Sequence, residues 1–304
     1  MIKPISSRGT AECRACGSQE LVGVLDLGEQ PLPSEYGRTA DEVLERFPLH
    51  MRICRGCGLG QLGEYVLPER IFHRSYPYLS SASATWVEHA RQYASAIKEE
   101  VGLDSESLVV ELASNDGYLL SAFQKLGVPI LGVEPADNVA SIAREAGVPT
   151  LTEFFGVRIA EQVLAAHGNP RLIVANNVFA HIPDMHDFIA GMSVLADENT
   201  IITIENPSFA LLLQQTLFDT IYHEHYSYLT AHSVKVVAQA HGLNLVRVDQ
   251  LPTHGGSNRY WLSRSKTVDK SVSETLKAEK RVGLFSPDEW AAFAARASAA
   301  IVGL

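Results

Sequence analysis

The chain has 304 residues, 46% of them hydrophobic and 20% charged, with a formal net charge of −10. That length and composition predict about two globular domains. The acidic balance, with no run of Lys or Arg, argues against a nucleic-acid backbone as partner. The opening MIKPISSRGT lacks an apolar signal core, and no stretch approaches the ~20 apolar residues of a membrane span, so a cytoplasmic protein is expected.

Residues 1–72 hold all four cysteines and many turn residues. Cys13-Arg14-Ala15-Cys16 and Cys54-Arg55-Gly56-Cys57 form a CxxC…CxxC set, each pair followed by a glycine, Gly17 or Gly58. Two such knuckles supply the four tetrahedral ligands that zinc prefers. Four thiolates leave no open coordination position, so the metal is expected to contribute folding energy and no chemistry.

Residues 73–265 alternate short apolar runs with helical spacing. Strands are expected at Ser107–Leu112, Ile130–Glu134, Leu172–Asn176 and Ile201–Glu205. This alternation predicts an α/β domain with a mostly parallel sheet and helices on both faces. The first strand runs into Glu111-Leu112-Ala113-Ser114-Asn115-Asp116-Gly117, the strand-to-helix turn where nucleotide-like ligands lie in doubly wound sheets. The turn lacks the glycine pattern of a pyrophosphate site, and its acids Glu111 and Asp116 suit a cation with ribose hydroxyls, which describes S-adenosylmethionine. Glu134, at the end of the next strand, is placed to accept both ribose hydroxyls. Asn176 and Asn177 sit at a later strand end, where the methionine part of that cofactor would lie. Phe154 and Phe155 either flank the adenine or pack as core aromatics.

Thr220 to Tyr228 (TIYHEHYSY) crowds polar and titratable side chains without amphipathic spacing. An extended segment would point His223 and His225 the same way. A His-Glu-His metal site, a general base with an orienting carboxylate, and a surface loop all remain open at this point. Thr253-His254-Gly255-Gly256-Ser257 reads as a hairpin turn or as amides for a diphosphate. Residues 266–304 are expected to be helical.

Taken in order, the paired knuckles, the SNDG loop, NNVFAHIPD, IYHEHYSYL and THGGS resemble the sugar C-methyltransferases of antibiotic deoxysugar biosynthesis, over residues 13–264. The nearest resemblance is to the C-3′-methyltransferases of thymidine-diphosphate-linked 4-keto sugars. It implies a Rossmann-like class I methyltransferase domain over 73–265, preceded by a zinc-binding domain over 1–72. It also implies that residues 266–304 are a helical linker to a C-terminal domain that is truncated. Cys13, Cys16, Cys54 and Cys57 would hold zinc. Ser114, Asn115, Asp116, Glu134 and Asn177 would bind S-adenosylmethionine. Tyr76, His181, Tyr222, Glu224 and His225 would line the reaction site. His225 would act as base toward C3, Tyr222 or Tyr76 would donate to the enolate oxygen, and Glu224 would orient the imidazole. The implied partner is a nucleotide sugar, with no nucleic acid and no membrane, and a monomer is expected. Two departures stand out: Ala113 replaces the family's usual Gly, and Asn258 replaces an apolar residue. Competing readings are an O- or N-methyltransferase on another small molecule and a catalytically silent zinc- and nucleotide-binding module.

Overall fold

The computed structural model describes residues 7–37, 39, 41–72 and 76–302; residues 1–6 of the opening segment lie outside it. The first part of the chain is mainly strand: β1 (Ser7–Gly9), β2 (Leu21–Pro31), β3 (Arg46–Cys54), β4 (Gly60–Leu62) and β5 (Glu64–Val66). The short α1 (Pro68–Ile71) and the long α2 (Ala84–Val101) follow. Alternation then begins with β6 (Val109–Leu112), α3 (Tyr118–Lys125), β7 (Ile130–Val133), α4 (Asp137–Glu145), β8 (Thr150–Leu151), α5 (Val157–His167), β9 (Leu172–Asn176), α6 (Met185–Leu195) and β10 (Ile201–Pro207). The remainder is α7 (Phe209–Gln215), β11 (Ser227–Tyr228), α8 (Ala231–Ala240), β12 (Asn244–Leu251), β13 (Ser257–Ser263), α9 (Lys270–Arg281) and α10 (Pro287–Val302).

Seven strands form the main sheet in the order β12-β13-β10-β9-β6-β7-β8. Strands β8, β7, β6, β9 and β10 run parallel, whereas β13 is antiparallel to both its neighbours. The Thr253–Gly255 segment is therefore part of the β12–β13 hairpin connection, one of its two expected roles. Every residue of β6 and β9 is buried, which is why these strands read as continuous apolar runs. Alternate side chains serve opposite cores. Leu172 and Val174 pack with residues of α2 and α3, and Ile173 and Ala175 with residues of α5, α6 and α8. This is a Rossmann-like α/β sheet with helices on both faces. No helix among the described residues is long and apolar enough to cross a membrane.

A second sheet, in the order β11-β4-β3-β2, joins distant parts of the sequence. Strand β11 pairs antiparallel with β4, Ser227 opposite Gln61 and Tyr228 opposite Gly60. Cys13, Cys54, Cys57 and Leu59 share one buried core with residues of β6, β9 and β10. Helix α10 packs onto this second sheet, with Trp290, Phe293 and Ala297 buried among Leu25, Met51, Ile53 and Phe209. Glu279 of α9 is buried and accepts the Ala231 N–H at 2.6 Å and the His232 N–H at 3.3 Å, satisfying the first turn of α8.

The β4–β11 junction has no spare volume. A Cβ on Gly60 would lie 2.7 Å from Phe209 Cζ and 3.0 Å from Tyr228 Cβ. Gly60→Ala is therefore expected to lower the unfolding free energy by about 1–3 kcal/mol. The urea midpoint of the zinc-loaded protein measures this, and an unchanged midpoint would mean that the junction relaxes freely.

Candidate active site and metal centre

The two knuckles converge. The four sulfurs of Cys13, Cys16, Cys54 and Cys57 all lie within 4.8 Å of one another, with Cys13–Cys57 and Cys16–Cys54 each at 3.5 Å. Tetrahedral zinc with bonds of about 2.3 Å sets sulfurs about 3.8 Å apart, so the donor set fits. Gly17 and Gly58 have φ of 72° and 70°, and their amides donate at 2.9 Å to the carbonyls of Cys13 and Cys54. That left-handed turn explains the glycine after each pair. Crowded sulfurs compete for protons. The hydrogen bond with Cys54 pushes the Cys13 thiol up to about 12, and the bond with Cys13 raises Cys57 and holds Cys54 far below the usual thiol range. A divalent cation allows all four to ionise together.

A cavity of about 760 Å³ opens at the carboxyl ends of the sheet strands. Asn115, Glu134, Asn176 and Asn177 line it, together with Tyr76, His181, Tyr222, Glu224 and His225. Two segments far apart in sequence thus face one space. Glu111, Ser114 and Asp116 are buried beside it but do not line it. Burial first, then Glu134 and Asp116, holds the Glu111 carboxyl well above the carboxylate range.

The turn after β6 is built from left-handed residues, Ala113 (φ 53°), Asn115 (φ 50°) and Gly117 (φ 79°). The first of these accounts for the glycine that the sequence resemblance leads one to expect at Ala113. Glu134 accepts the Asn115 N–H at 2.9 Å and the Ala136 N–H at 2.8 Å, which fixes its carboxylate at the cavity wall. The Asn115 and Asp116 side chains work on another segment. Asn115 Oδ1 accepts the Ser80 N–H at 2.8 Å, its Nδ2 donates to the Tyr78 carbonyl at 3.2 Å, and Asp116 Oδ2 accepts the Ser81 N–H at 3.1 Å. In contrast, Asn176 Oδ1, both amide atoms of Asn177 and Asn206 Oδ1 are buried without partners. Unsatisfied buried amides on a cavity wall call for a polar ligand. Phe155 meets Phe188 edge-on at 5.4 Å, whereas Phe154 is half-exposed at the rim.

The polar cluster is a tight turn. His225 N donates to the Tyr222 carbonyl at 3.0 Å, so the segment is not extended and its histidines diverge. His223 Nε2 donates to the Phe47 carbonyl at 3.1 Å, away from the cavity. The His-Glu-His metal reading fails on this geometry, and among the described residues the four cysteines are the metal-competent group. His225 Nδ1 donates to the Thr220 carbonyl at 2.9 Å. That fixes the tautomer and leaves Nε2 as an acceptor for the Tyr222 hydroxyl at 2.9 Å. The orienting group is thus the Thr220 carbonyl, in place of the Glu224 carboxylate expected from sequence. Glu224 accepts from Ser34 Oγ and from the Tyr76 hydroxyl (3.4 Å), while its backbone carbonyl accepts from His181 Nδ1 at 2.8 Å. The His181 and His225 rings lie 4.8 Å apart.

Sequence reasoning missed Ser34, Tyr78, Trp86, Asn206 and Thr220, all of which line the cavity. Asn206 was open to inference as a polar residue at the carboxyl end of a sheet strand. Thr220 holds His225 through its backbone, which leaves no side-chain signature.

Residues 13–72 match a family model described as "Putative zinc binding domain", and residues 86–248 match one described as "Methyltransferase domain". The chain is 33% identical over 299 residues to the C-methyltransferase NovU of Streptomyces niveus, covering 97% of this chain and 70% of that protein. Among solved structures, it is similar to the magnesium protoporphyrin IX methyltransferase ChlM of Synechocystis PCC 6803 (13% identity, TM-score 0.46, 59% of this chain and 83% of that one). It is also similar to the CcbJ methyltransferase of Streptomyces caelestis (14% identity, TM-score 0.45, 57% and 88%).

Burial sets the protonation of the cavity. It lowers His225 to about 3, with His181 adding to the effect, and His181 to about 4, so both imidazoles are neutral near pH 7. Unfolded histidines protonate near 6.5, so the unfolded state binds more protons below that value. Their contribution is fully present above pH 6.5 and is lost as pH falls toward 4 to 3. His225→Asn is expected to flatten the fall of the urea midpoint between pH 6.5 and 4 by up to one proton's slope. An unchanged slope would mean that His225 is solvated.

Proposed function

Because this chain belongs to the zinc-containing, S-adenosylmethionine-dependent C-methyltransferase family, we propose that it methylates C3 of a nucleotide-linked 4-keto-deoxysugar through a histidine-assisted enolate. The observation that carries this reading is the oriented Tyr222–His225 pair, facing the same cavity as Glu134 and the unpartnered amide oxygens of Asn176, Asn177 and Asn206. A C-methyltransferase without redox chemistry must make a carbon nucleophile, and that requires a base at a C–H next to a carbonyl.

The residues divide the work as follows. Glu134 accepts ribose hydroxyls, and the three asparagine amides take the polar groups at the methionine end of the cofactor. When bound, S-adenosylmethionine supplies an electrophilic methyl group. The neutral His225, held by the Thr220 carbonyl, is the proton acceptor, working beside or through the Tyr222 hydroxyl that touches its Nε2. Burial raises the Tyr76 and Tyr222 hydroxyls above their usual range. Both therefore stay protonated as donors to a developing enolate oxygen. The four cysteines hold zinc as a structural ion.

Incubation with S-adenosylmethionine and a thymidine-diphosphate 4-keto-6-deoxysugar in heavy water, followed by mass spectrometry with fragmentation, tests the reading. The expected product carries one new methyl at C3. His225→Asn should lower the turnover rate by about a hundredfold or more, with unchanged cofactor affinity and no deuterium entering C3. Methyl transfer at the wild-type rate in His225→Asn would remove the base assignment, and a methyl on oxygen or nitrogen would remove the reaction class.

Burial raises the Glu134 carboxyl to about 7. A cationic ligand favours its ionised form, so cofactor binding should release a proton and tighten as pH rises toward 7. The stability sign is opposite: the protonated carboxyl stabilises the ligand-free fold below about 4.5, and this is lost as pH rises through 7. Calorimetry in buffers of different ionisation enthalpy should show proton release near pH 6 that Glu134→Gln abolishes. Equal proton release in the variant would assign it to another group.

A further inference from the structure

Each knuckle carries an arginine after its first cysteine, and the fold treats the two differently. Arg55 is exposed on the second knuckle, its guanidinium carbon 5.9 Å from the Trp290 ring centroid. Arg14 turns inward. Its backbone N–H donates to Gln61 Oε1 at 3.0 Å, its Nε to Ser227 Oγ at 3.4 Å and its Nη1 to the Leu62 carbonyl at 3.5 Å. Its guanidinium lies 5.7 Å from the Tyr65 ring centroid, and its Nη2 is sealed from solvent without a partner. None of the arginine ion pairs among the described residues involves Arg14.

An inward cation whose partners are a hydroxyl, a carbonyl and a ring is costly unless an anion stands nearby. The adjoining residues supply one. Four thiolates around divalent zinc leave two net negative charges; Arg14 lies in the sequence between two of the ligands, Cys13 and Cys16, and the Cys13 charge acts on its guanidinium. We propose that Arg14 is the counter-ion of the zinc tetrathiolate. The pairing clamps the first knuckle onto β4 and onto Ser227 of β11, two residues beyond His225. Arg14 is then a positioning residue, and the metal's charge as well as its bonds holds the second sheet together. The inference rests on zinc filling the four-cysteine centre.

The zinc-loaded full chain is mixed with an excess of a chromogenic chelator, and the rate of zinc transfer is followed. Arg14→Gln should speed release about tenfold or more. Arg14→Lys, which restores the charge, should stay within about threefold of wild type, as should the exposed control Arg55→Gln. Cys16→His, at the exposed ligand, removes one negative charge from the centre, and in that background the effect of Arg14→Gln should shrink to about threefold or less. Equal acceleration by Arg14→Gln and Arg14→Lys would overturn the proposal in favour of packing alone, as would an undiminished effect in the Cys16→His background. If Arg14→Gln does not fold with zinc, its recovery in the Cys16→His background supports the proposal and its failure in both overturns it. If Cys16→His itself cannot hold zinc, the glutamine–lysine comparison decides.

Discussion

Strand β11 is only two residues long, yet its pairing with β4 determines where the Tyr222–His225 turn sits. Ser227 and Tyr228 lie opposite Gln61 and Gly60, and the Leu62 N–H donates to the Tyr226 carbonyl at 3.1 Å. The turn from Tyr222 to His225 is therefore tethered on its downstream side to a sheet whose longer strands belong to the metal-binding part of the chain. A ladder this short is marginal by itself. It persists because the second knuckle ends β3 at Cys54, and because Phe209, Trp290 and Phe293 bury the face of the same sheet. Zinc with four cysteines has no place for substrate. The structural path from the four cysteines to the Tyr222–His225 turn runs through β3 and β4 to β11.

Desolvation sets the protonation of the cavity wall. Removing water from His225 and His181 makes both imidazoles neutral, which suits a base and forbids two adjacent positive charges. The same burial keeps the hydroxyls of Tyr76 and Tyr222 protonated, as donors. Elsewhere on the wall it makes Glu134 reluctant to ionise. Behind this wall, Glu205 is fully buried and ionised, because His89 at 2.9 Å, the Arg259 guanidinium at 2.6 Å and Thr253 at 3.3 Å share its charge. The contrast is informative. Glu205 is satisfied by protein and acts as structure. The neighbouring Asn206 Oδ1 is not satisfied, and Asn206 lines the cavity.

The sequence revealed those features whose signal is local. Apolar runs placed β6, β7, β9 and β10 within a residue or two of their observed bounds, since buried parallel strands leave little room for polar side chains. The CxxC spacing identified the metal centre, because thiolate chemistry constrains both residue type and separation. Features that depend on a turn or on the backbone stayed hidden. An extended reading of residues 220–228 aligned His223 with His225, whereas the turn closed at Tyr222 sends His223 to Phe47. The Thr220 carbonyl that orients His225 belongs to no motif. The antiparallel β13 was legible only through the hairpin reading of Thr253–Ser257, one of two left open, since strand direction leaves no trace in hydropathy.

Asn115 and Asp116 have structural roles that the motif did not reveal. Their side chains tie down residues 78–81, and Asn138 Nδ2 adds a bond to the Tyr76 carbonyl at 2.9 Å. This strap brings Tyr76, Tyr78 and, just beyond it, Trp86 onto the cavity wall. Tyr76 then reaches the Glu224 carboxylate in the Tyr222–His225 turn. The turn after β6 thus presents Asn115 to the cavity, braces Glu134 through its backbone N–H, and fixes the segment that closes the other side. A change at Asn115 would disturb both halves at once. The chain from Glu134 to Asn115, through the strap to Tyr76 and on to Glu224, consists of hydrogen bonds between fixed elements. It joins the Glu134 side of the cavity to Glu224 through fixed contacts.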